Sequence, residues 1–272
     1  MVFCSIAGLY QRVVSGRLLL ARKRPLGYNR AHYQEGQTAE LVTAQDYTRI
    51  RANIERVRER IERACGRCGR LPDEVTLIAV SKTVAPEFVE LAVRAGAGDL
   101  GENYVQEAQT KIETLGRAAR WHMIGHLQTN KASRAALLFD MVQSVDSPRL
   151  ARKLSDAAVA AGKRLEVLIE VNISGEEAKT GVAKCEALSL AAEAAALPGL
   201  ALKGLMAIPP FLDDPDQVRP YFRELREMFE MLPEERRQVL SMGMSGDFEA
   251  AIEEGATMVR VGTAIFGSRL AA

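Results

Sequence analysis

Between residues 75 and 261 the chain lays down eight short apolar runs, each followed by a segment of helix length rich in Ala, Leu, Glu and Arg. The runs fall at 75–80, 99–101, 121–124, 141–145, 166–172, 202–208, 239–242 and 258–261, with helical segments such as 148–161 and 217–231 between them. Runs this short are strands, and strands separated by helices must lie parallel, because a parallel pair needs a crossover. Eight such units with no β-only stretch point to a closed barrel over an open sheet. The expected fold class is therefore α/β, a single (β/α)8 TIM-type barrel without a C-terminal β-domain.

One helix precedes the first run. Ile50, Ile54, Val57, Ile61 and Ala64 recur at steps of four and three, with Arg and Glu on the other faces, the stripe of an amphipathic helix. This extra N-terminal helix is expected to cover the outside or the bottom of the barrel. Cys65-Gly66-Arg67-Cys68-Gly69 closes it. A CxxC is half of a zinc or redox site, but no second ligand pair lies near, and glycines just past a helical stripe usually mark its stop.

Residues 1–41 read differently. They hold six basic residues and two acidic ones, Glu35 and Glu40. An Arg-rich, acid-poor leader is consistent with a targeting segment; the plainer expectation is a disordered tail or an over-extended start, with Val42 as the alternative first codon. The domain division expected is thus 1–41 as an extension and 42–272 as the barrel. A net charge of +1 over 272 residues gives no field that would gather nucleic acid or an anionic membrane. No apolar run reaches the roughly 20 residues that span a bilayer. Four cysteines in a chain of this length suit a reducing cytoplasm rather than a disulfide framework.

In a barrel of this type the reactive groups sit at the carboxyl ends of the strands, and phosphates are held by the loops after strands 7 and 8. After strand 1 stands Lys82. Alternation puts Thr76, Ile78, Val80 and Lys82 on one face. Lys82 is then either a rim lysine reaching solvent or a partly desolvated amine able to form a Schiff base with an aldehyde. After strand 7 comes Ser241-Met242-Gly243-Met244-Ser245, and after strand 8 Gly262-Thr263-Ala264. Small residues, hydroxyls and backbone N–H groups at both places suit a phosphate. Arg260 shares the inner face of strand 8 with Met258 and Gly262, and its charge needs an acceptor: a pyridine nitrogen, or an acid from a neighbouring strand. His122 and His126 alternate on strand 3 with no third metal ligand in view, so His126 is expected to hydrogen-bond at the rim. Lys179, after strand 5, is a solvated loop lysine or a second amine for an aldehyde.

Several long motifs together resemble the pyridoxal phosphate homeostasis protein family, which is similar to the barrel half of alanine racemase. They are Ala79-Val80-Ser81-Lys82-Thr83, Gly101-Glu102-Asn103-Tyr104-Val105-Gln106-Glu107, Trp121-His122-Met123-Ile124-Gly125-His126-Leu127-Gln128-Thr129-Asn130-Lys131, Gly204-Leu205-Met206-Ala207-Ile208-Pro209, Ser241–Ser245 and Met258–Gly267. The resemblance runs from about Asp46 to Arg269. It implies pyridoxal 5'-phosphate (PLP) held on Lys82 as a Schiff base, Arg260 at the pyridine nitrogen, Ser241, Ser245, Gly262 and Thr263 around the phosphate, and Asn103 and Met206 lining the ring pocket. It also implies a cytoplasmic monomer that stores PLP and delivers it to apo PLP enzymes, without robust catalysis. An arginine facing the pyridine nitrogen disfavours its protonation and weakens the ring as an electron sink. The rival readings are a PLP-dependent racemase or small aldolase, for which Tyr104 is the one mouth-side second base, and a cofactor-free Schiff-base aldolase acting on a sugar phosphate.

Overall fold

Eight parallel strands close on themselves in chain order: β1 (Thr76–Val80), β2 (Asp99–Glu102), β3 (Arg120–Met123), β4 (Met141–Val145), β5 (Leu165–Asn172), β6 (Leu200–Met206), β7 (Val239–Ser241) and β8 (Met258–Val261). β8 pairs back onto β1 with Arg260 opposite Ile78, so no barrel edge is left unpaired. The computed structural model describes residues 9–14, 17–22, 42–176 and 179–267. Of the leader it describes an antiparallel hairpin, Leu9–Val14 with Arg17–Arg22; the expected disorder elsewhere in 1–41 lies outside the described residues. The expected barrel is the one observed.

The helices that follow the strands are α2 (Pro86–Arg94), α3 (Val105–Leu115), α4 (Ala132–Leu138), α5 (Pro148–Ala160), α6 (Lys184–Ala196), α7 (Pro215–Glu230), α8 (Phe248–Glu253) and the short α9 (Thr263–Phe266). A proline at the first helical position opens α2, α5 and α7, where its missing N–H costs nothing. The preceding helix, α1 (Ala44–Cys68), starts at a capping box in which Thr43 and Asp46 satisfy each other's backbone N–H groups. It stops at Gly69, whose φ of 70° is the left-handed cap a glycine adopts without strain. Its whole stripe from Ile50 to Ala64 is buried, each large aliphatic worth about 1.5–3 kcal/mol on burial. α1 packs on the barrel's outside, against α2 and α8. It also reaches α9, where Asn53 and Arg49 donate to the carbonyls of Ile265 and Phe266.

Alternation along the strands separates two cores. The larger lies between strands and helices and includes Ala79, Leu205, Val259 and Val261. The smaller fills the barrel with Ile78, Met141, Leu168, Met206 and Met258. β6 begins two residues before the apolar run suggests and ends at Met206. The reason is local: Gly204 has φ 151°, and a Cβ there would meet the Val239 carbonyl oxygen at 2.0 Å. At that point the β5–β6 register slips between Val167 and Leu168; past the end of the strand Ala207 is buried in the outer core and Ile208 lines the mouth cavity.

Candidate cofactor-binding site

Lys82 follows β1 at the barrel mouth, half-buried and on the wall of a cavity of about 770 Å³. Both peptide neighbours of Lys82 are held from behind. The Ser81 carbonyl accepts from Lys111 Nζ at 2.5 Å, and the Thr83 N–H donates to the Glu107 carboxylate. Lys111 also donates to Glu102 at 2.6 Å and Glu107 at 2.7 Å, and Ser81 Oγ donates to Glu102 Oε1 at 2.6 Å. The clamp matters because Thr83 has φ 62°, a left-handed conformation that disfavours a β-branched residue and costs about 1–3 kcal/mol. A fully buried ammonium and two carboxylates supply the bonds that keep the chain in that turn.

Arg260 lines the same cavity from the inner face of the adjacent strand β8 and is 3% exposed. Its Nη1 donates to Ser241 Oγ at 2.6 Å and its Nη2 to the Ala207 carbonyl at 2.9 Å. Both acceptors are neutral, and among the described residues Arg260 forms no ion pair. Burial pulls its guanidinium down to about 10, resisted by Asp247 and, less strongly, Glu170. The acid partner that would have made Arg260 a structural salt bridge is thus not in contact with it. Ser241 itself is fully buried, donating to Gln143 Oε1 at 2.7 Å while receiving Arg260.

The loops after β7 and β8 close the third side. Gly243, at φ 89°, accepts the Arg260 backbone N–H on its carbonyl, and a Cβ there would meet the Ala251 Cβ at 2.6 Å. Beyond it, Asp247 caps the Met244 N–H at 2.6 Å and Ser245 Oγ accepts from the Gly262 N–H at 3.3 Å, which ties the two loops together. The Thr263 and Ala264 N–H groups, in the first turn of α9, have no intrahelical acceptor. Of the eight residues singled out from sequence, Lys82, Asn103, Ser245, Arg260, Gly262 and Thr263 line one cavity. Met206 and Ser241 do not line it: both are buried beneath, Met206 in the barrel core and Ser241 against Arg260. Of the other candidates, His126 sits at the rim with Nδ1 3.2 Å from Asp146. Lys179 pairs with Glu176 at 2.7 Å, and Tyr104 is 60% exposed and off the cavity wall.

Some site residues escaped the sequence reading. Glu170, near the mouth end of β5, lines the cavity with Oε1 accepting from Thr180 at 2.5 Å and a buried Oε2 that has no partner among the described residues. Burial pushes its carboxyl up, resisted by the Thr180 hydrogen bond. Its signal was alternation, since Glu166, Leu168 and Glu170 share a face of a strand read only as apolar. Lys111 likewise breaks the buried stripe Val105, Ala108, Lys111 of α3.

Residues 45–270 match the family model described as alanine racemase, N-terminal domain. The chain is 45% identical over 228 residues to the pyridoxal phosphate homeostasis protein of Escherichia coli strain K12, covering 81% of this chain and 97% of that one. Among solved structures, an unknown protein from Bifidobacterium adolescentis superposes with a TM-score of 0.77 at 38% identity, over 84% of this chain and 98% of that one. PipY of Synechococcus elongatus PCC7942, in its structure with PLP bound, superposes with a TM-score of 0.68 at 32% identity, over 80% of this chain and 100% of that one. By the length and level of these matches the chain belongs to the pyridoxal phosphate homeostasis protein family, whose barrel is that of the alanine racemase N-terminal domain.

Proposed function

We propose that this protein holds PLP as a Schiff base on Lys82 and takes part in PLP homeostasis, storing the cofactor and passing it to apo PLP enzymes. The observation that carries the reading is a buried arginine without an ion partner among the described residues, lining the same cavity as a half-buried lysine from the adjacent strand. PLP answers both: its aldehyde suits the amine, and its pyridine nitrogen is an acceptor for a guanidinium N–H. The donor set around the phosphate would be the Ser245 and Thr263 hydroxyls and the amides after β7 and β8, with Asn103 beside the ring. At Gly246 an added Cβ would meet nothing within 4 Å, so that loop leaves room for a bulky anion.

Carrier behaviour fits better than turnover. Arg260 weakens the ring as an electron sink, and Tyr104, the second base a racemase reading would use, stands off the cavity wall. On this reading the protein works as a monomer in the cytoplasm; among the described residues no helix is long and apolar enough to cross a membrane.

The test is chemical. The purified protein should absorb in the visible with PLP, and borohydride reduction followed by peptide mapping should place the pyridoxyl group on Lys82. Lys82→Ala should lose that adduct completely while its melting temperature stays within about 2 °C, since a half-buried mouth lysine contributes little packing. A colourless protein that binds sugar phosphates would favour the cofactor-free aldolase instead. Full-yield labelling of Lys179 in Lys82→Ala would move the attachment site.

A further inference from the structure

Arg260 is the near end of a hydrogen-bonded chain that runs down through the barrel interior. Ser241 Oγ links it to Gln143 Oε1 at 2.7 Å, Gln143 Nε2 lies 3.2 Å from His122 Nδ1, and His122 Nε2 lies 2.8 Å from Asp99 Oδ1. His122, Gln143 and Ser241 are all fully buried, and only the Asp99 end of the chain reaches toward solvent.

The direction of the chain follows from its lower end. The Asp99 carboxylate can only accept, so His122 donates from Nε2; the Met258 sulfur, an acceptor 3.1 Å from Gln143 Nε2, holds the Gln143 NH2 on the His122 side, which makes Nδ1 the bare acceptor. The second N–H of that amide is taken by the Met258 sulfur at 3.1 Å, so reversing the amide would set its oxygen against two lone-pair acceptors. With Gln143 fixed, its oxygen takes the Ser241 proton, and the serine presents a lone pair to Arg260. The Ala207 carbonyl holds Nη2. Of the five guanidinium N–H donors, two are fixed downward and sideways, and the rest can serve a bound acceptor.

We propose that His122 is a positioning residue for Arg260: acting through Gln143 and Ser241, it sets the hydrogen-bond direction that aims the guanidinium at the PLP ring. The inference rests on the reading that Arg260 meets PLP. It gives Ser241 a role beneath the cofactor rather than beside the phosphate, because the hydroxyl proton is already committed to Gln143.

The full-length protein tests this in two ways. In protein labelled with ¹⁵N-histidine, the His122 resonances, assigned by their loss in His122→Asn, should report the neutral Nε2–H form; an Nδ1–H or doubly protonated ring would overturn the proposal. Second, PLP affinity should fall about tenfold in Ser241→Ala and in His122→Phe, the lower range for a hydrogen bond to a charged group. His122→Asn, whose side-chain oxygen replaces Nδ1 as acceptor, should stay within about threefold of wild type. In an Arg260→Gln background neither Ser241→Ala nor His122→Phe should weaken PLP further. An undiminished loss in that background, or no loss in Ser241→Ala, which removes one oxygen and will fold even if His122→Phe does not, would sink the relay. Failure of the underlying reading looks different: Arg260→Gln would itself bind PLP as wild type does.

Discussion

The two sides of the cavity are supported by networks of opposite character. Behind Lys82, between β1, β2 and α3 on the outer side of the barrel wall, three charges are packed at contact distance: Lys111 with Glu102 and Glu107. Behind Arg260, inside the barrel, the nearest supports are neutral, Ser241 and Gln143, and the chain continues to His122 and the Asp99 carboxylate at the far end. The difference teaches what each must resist. The Lys82 side holds a backbone turn at Thr83 that its own residue disfavours, and charge-assisted bonds are about twice as strong as neutral ones. The Arg260 side needs no strained backbone; it needs one side chain aimed, and a chain of neutral bonds gives direction without more buried charge. The clamp should therefore dominate stability and the relay ligand affinity.

Removing the clamp's cation should produce the largest effect. Among the described residues, Lys111→Met leaves buried Glu102 with Ser81 as its one remaining donor and an Oε2 that already lacks a partner. Breaking a buried ion pair by removing one member typically costs about 3–5 kcal/mol, to be read from urea denaturation. The pH dependence gives the sign check. Burial pushes the Glu102 carboxyl up against the pull of Lys111, and without Lys111 it rises further. A raised carboxyl favours the folded state at acid pH and loses that contribution as pH rises through the folded titration. The penalty of Lys111→Met should hence shrink as pH falls from neutral toward the ordinary carboxylate range; a penalty independent of pH would mean that lost packing, not stranded charge, is responsible.

The same contrast explains what was legible in the sequence. The barrel was readable because strand and helix periods are local, and β4 and β8 fall where their apolar runs do. Lys82, Arg260 and the two small-residue loops were readable because the barrel dictates where strand ends converge. Ser241 looked like a phosphate ligand from its place at the carboxyl end of β7; only the three-dimensional meeting of β4, β7 and β8 shows its hydroxyl spent on Gln143 and Arg260. His122 had been weighed as half of a metal pair, whereas its partners Asp99 and Gln143 come from neighbouring strands about twenty residues away on either side. The Lys111 clamp was hidden for the same reason: its members are spread over residues 81–111, and a lysine in an otherwise buried helical stripe reads as solvent-facing until its acceptors are in place.

A smaller effect tests whether the Arg260 side tolerates charge at all. Glu170 is the buried carboxyl on that side, and burial pushes it up, resisted by Thr180 and, more weakly, Arg260. Its contribution is present below the ordinary carboxylate value of 4.5 and lost as pH rises through its folded titration. Glu170→Gln keeps the acceptor for Thr180 and removes the titration. The stability of the variant minus that of wild type should be flat below about pH 4.5 and climb in the variant's favour above it, in pH-resolved denaturation. A flat difference across the whole range would show that Glu170 is solvated through the mouth.

The smallest effect expected is none, and it bears on both networks together. Every member of the clamp lies between Ser81 and Lys111, and every member of the relay between Asp99 and Arg260. The helix that braces the loop after β8 begins at the Thr43–Asp46 capping box, and the bonds from Arg49 and Asn53 to α9 lie within it. Among the described contacts, none of the bonds that hold the Thr83 turn or the Arg260 guanidinium draws on a residue before Val42. A chain beginning at Val42 should accordingly match the full chain in melting temperature, within about 2 °C, and in PLP titration, within about twofold, the range expected where no buried group is disturbed. A loss of stability with PLP binding intact would make residues 1–41 part of the barrel's packing. A loss of PLP binding at unchanged stability would place them at the cavity mouth, where the contrast between a charged and a neutral support would have to admit a third contributor.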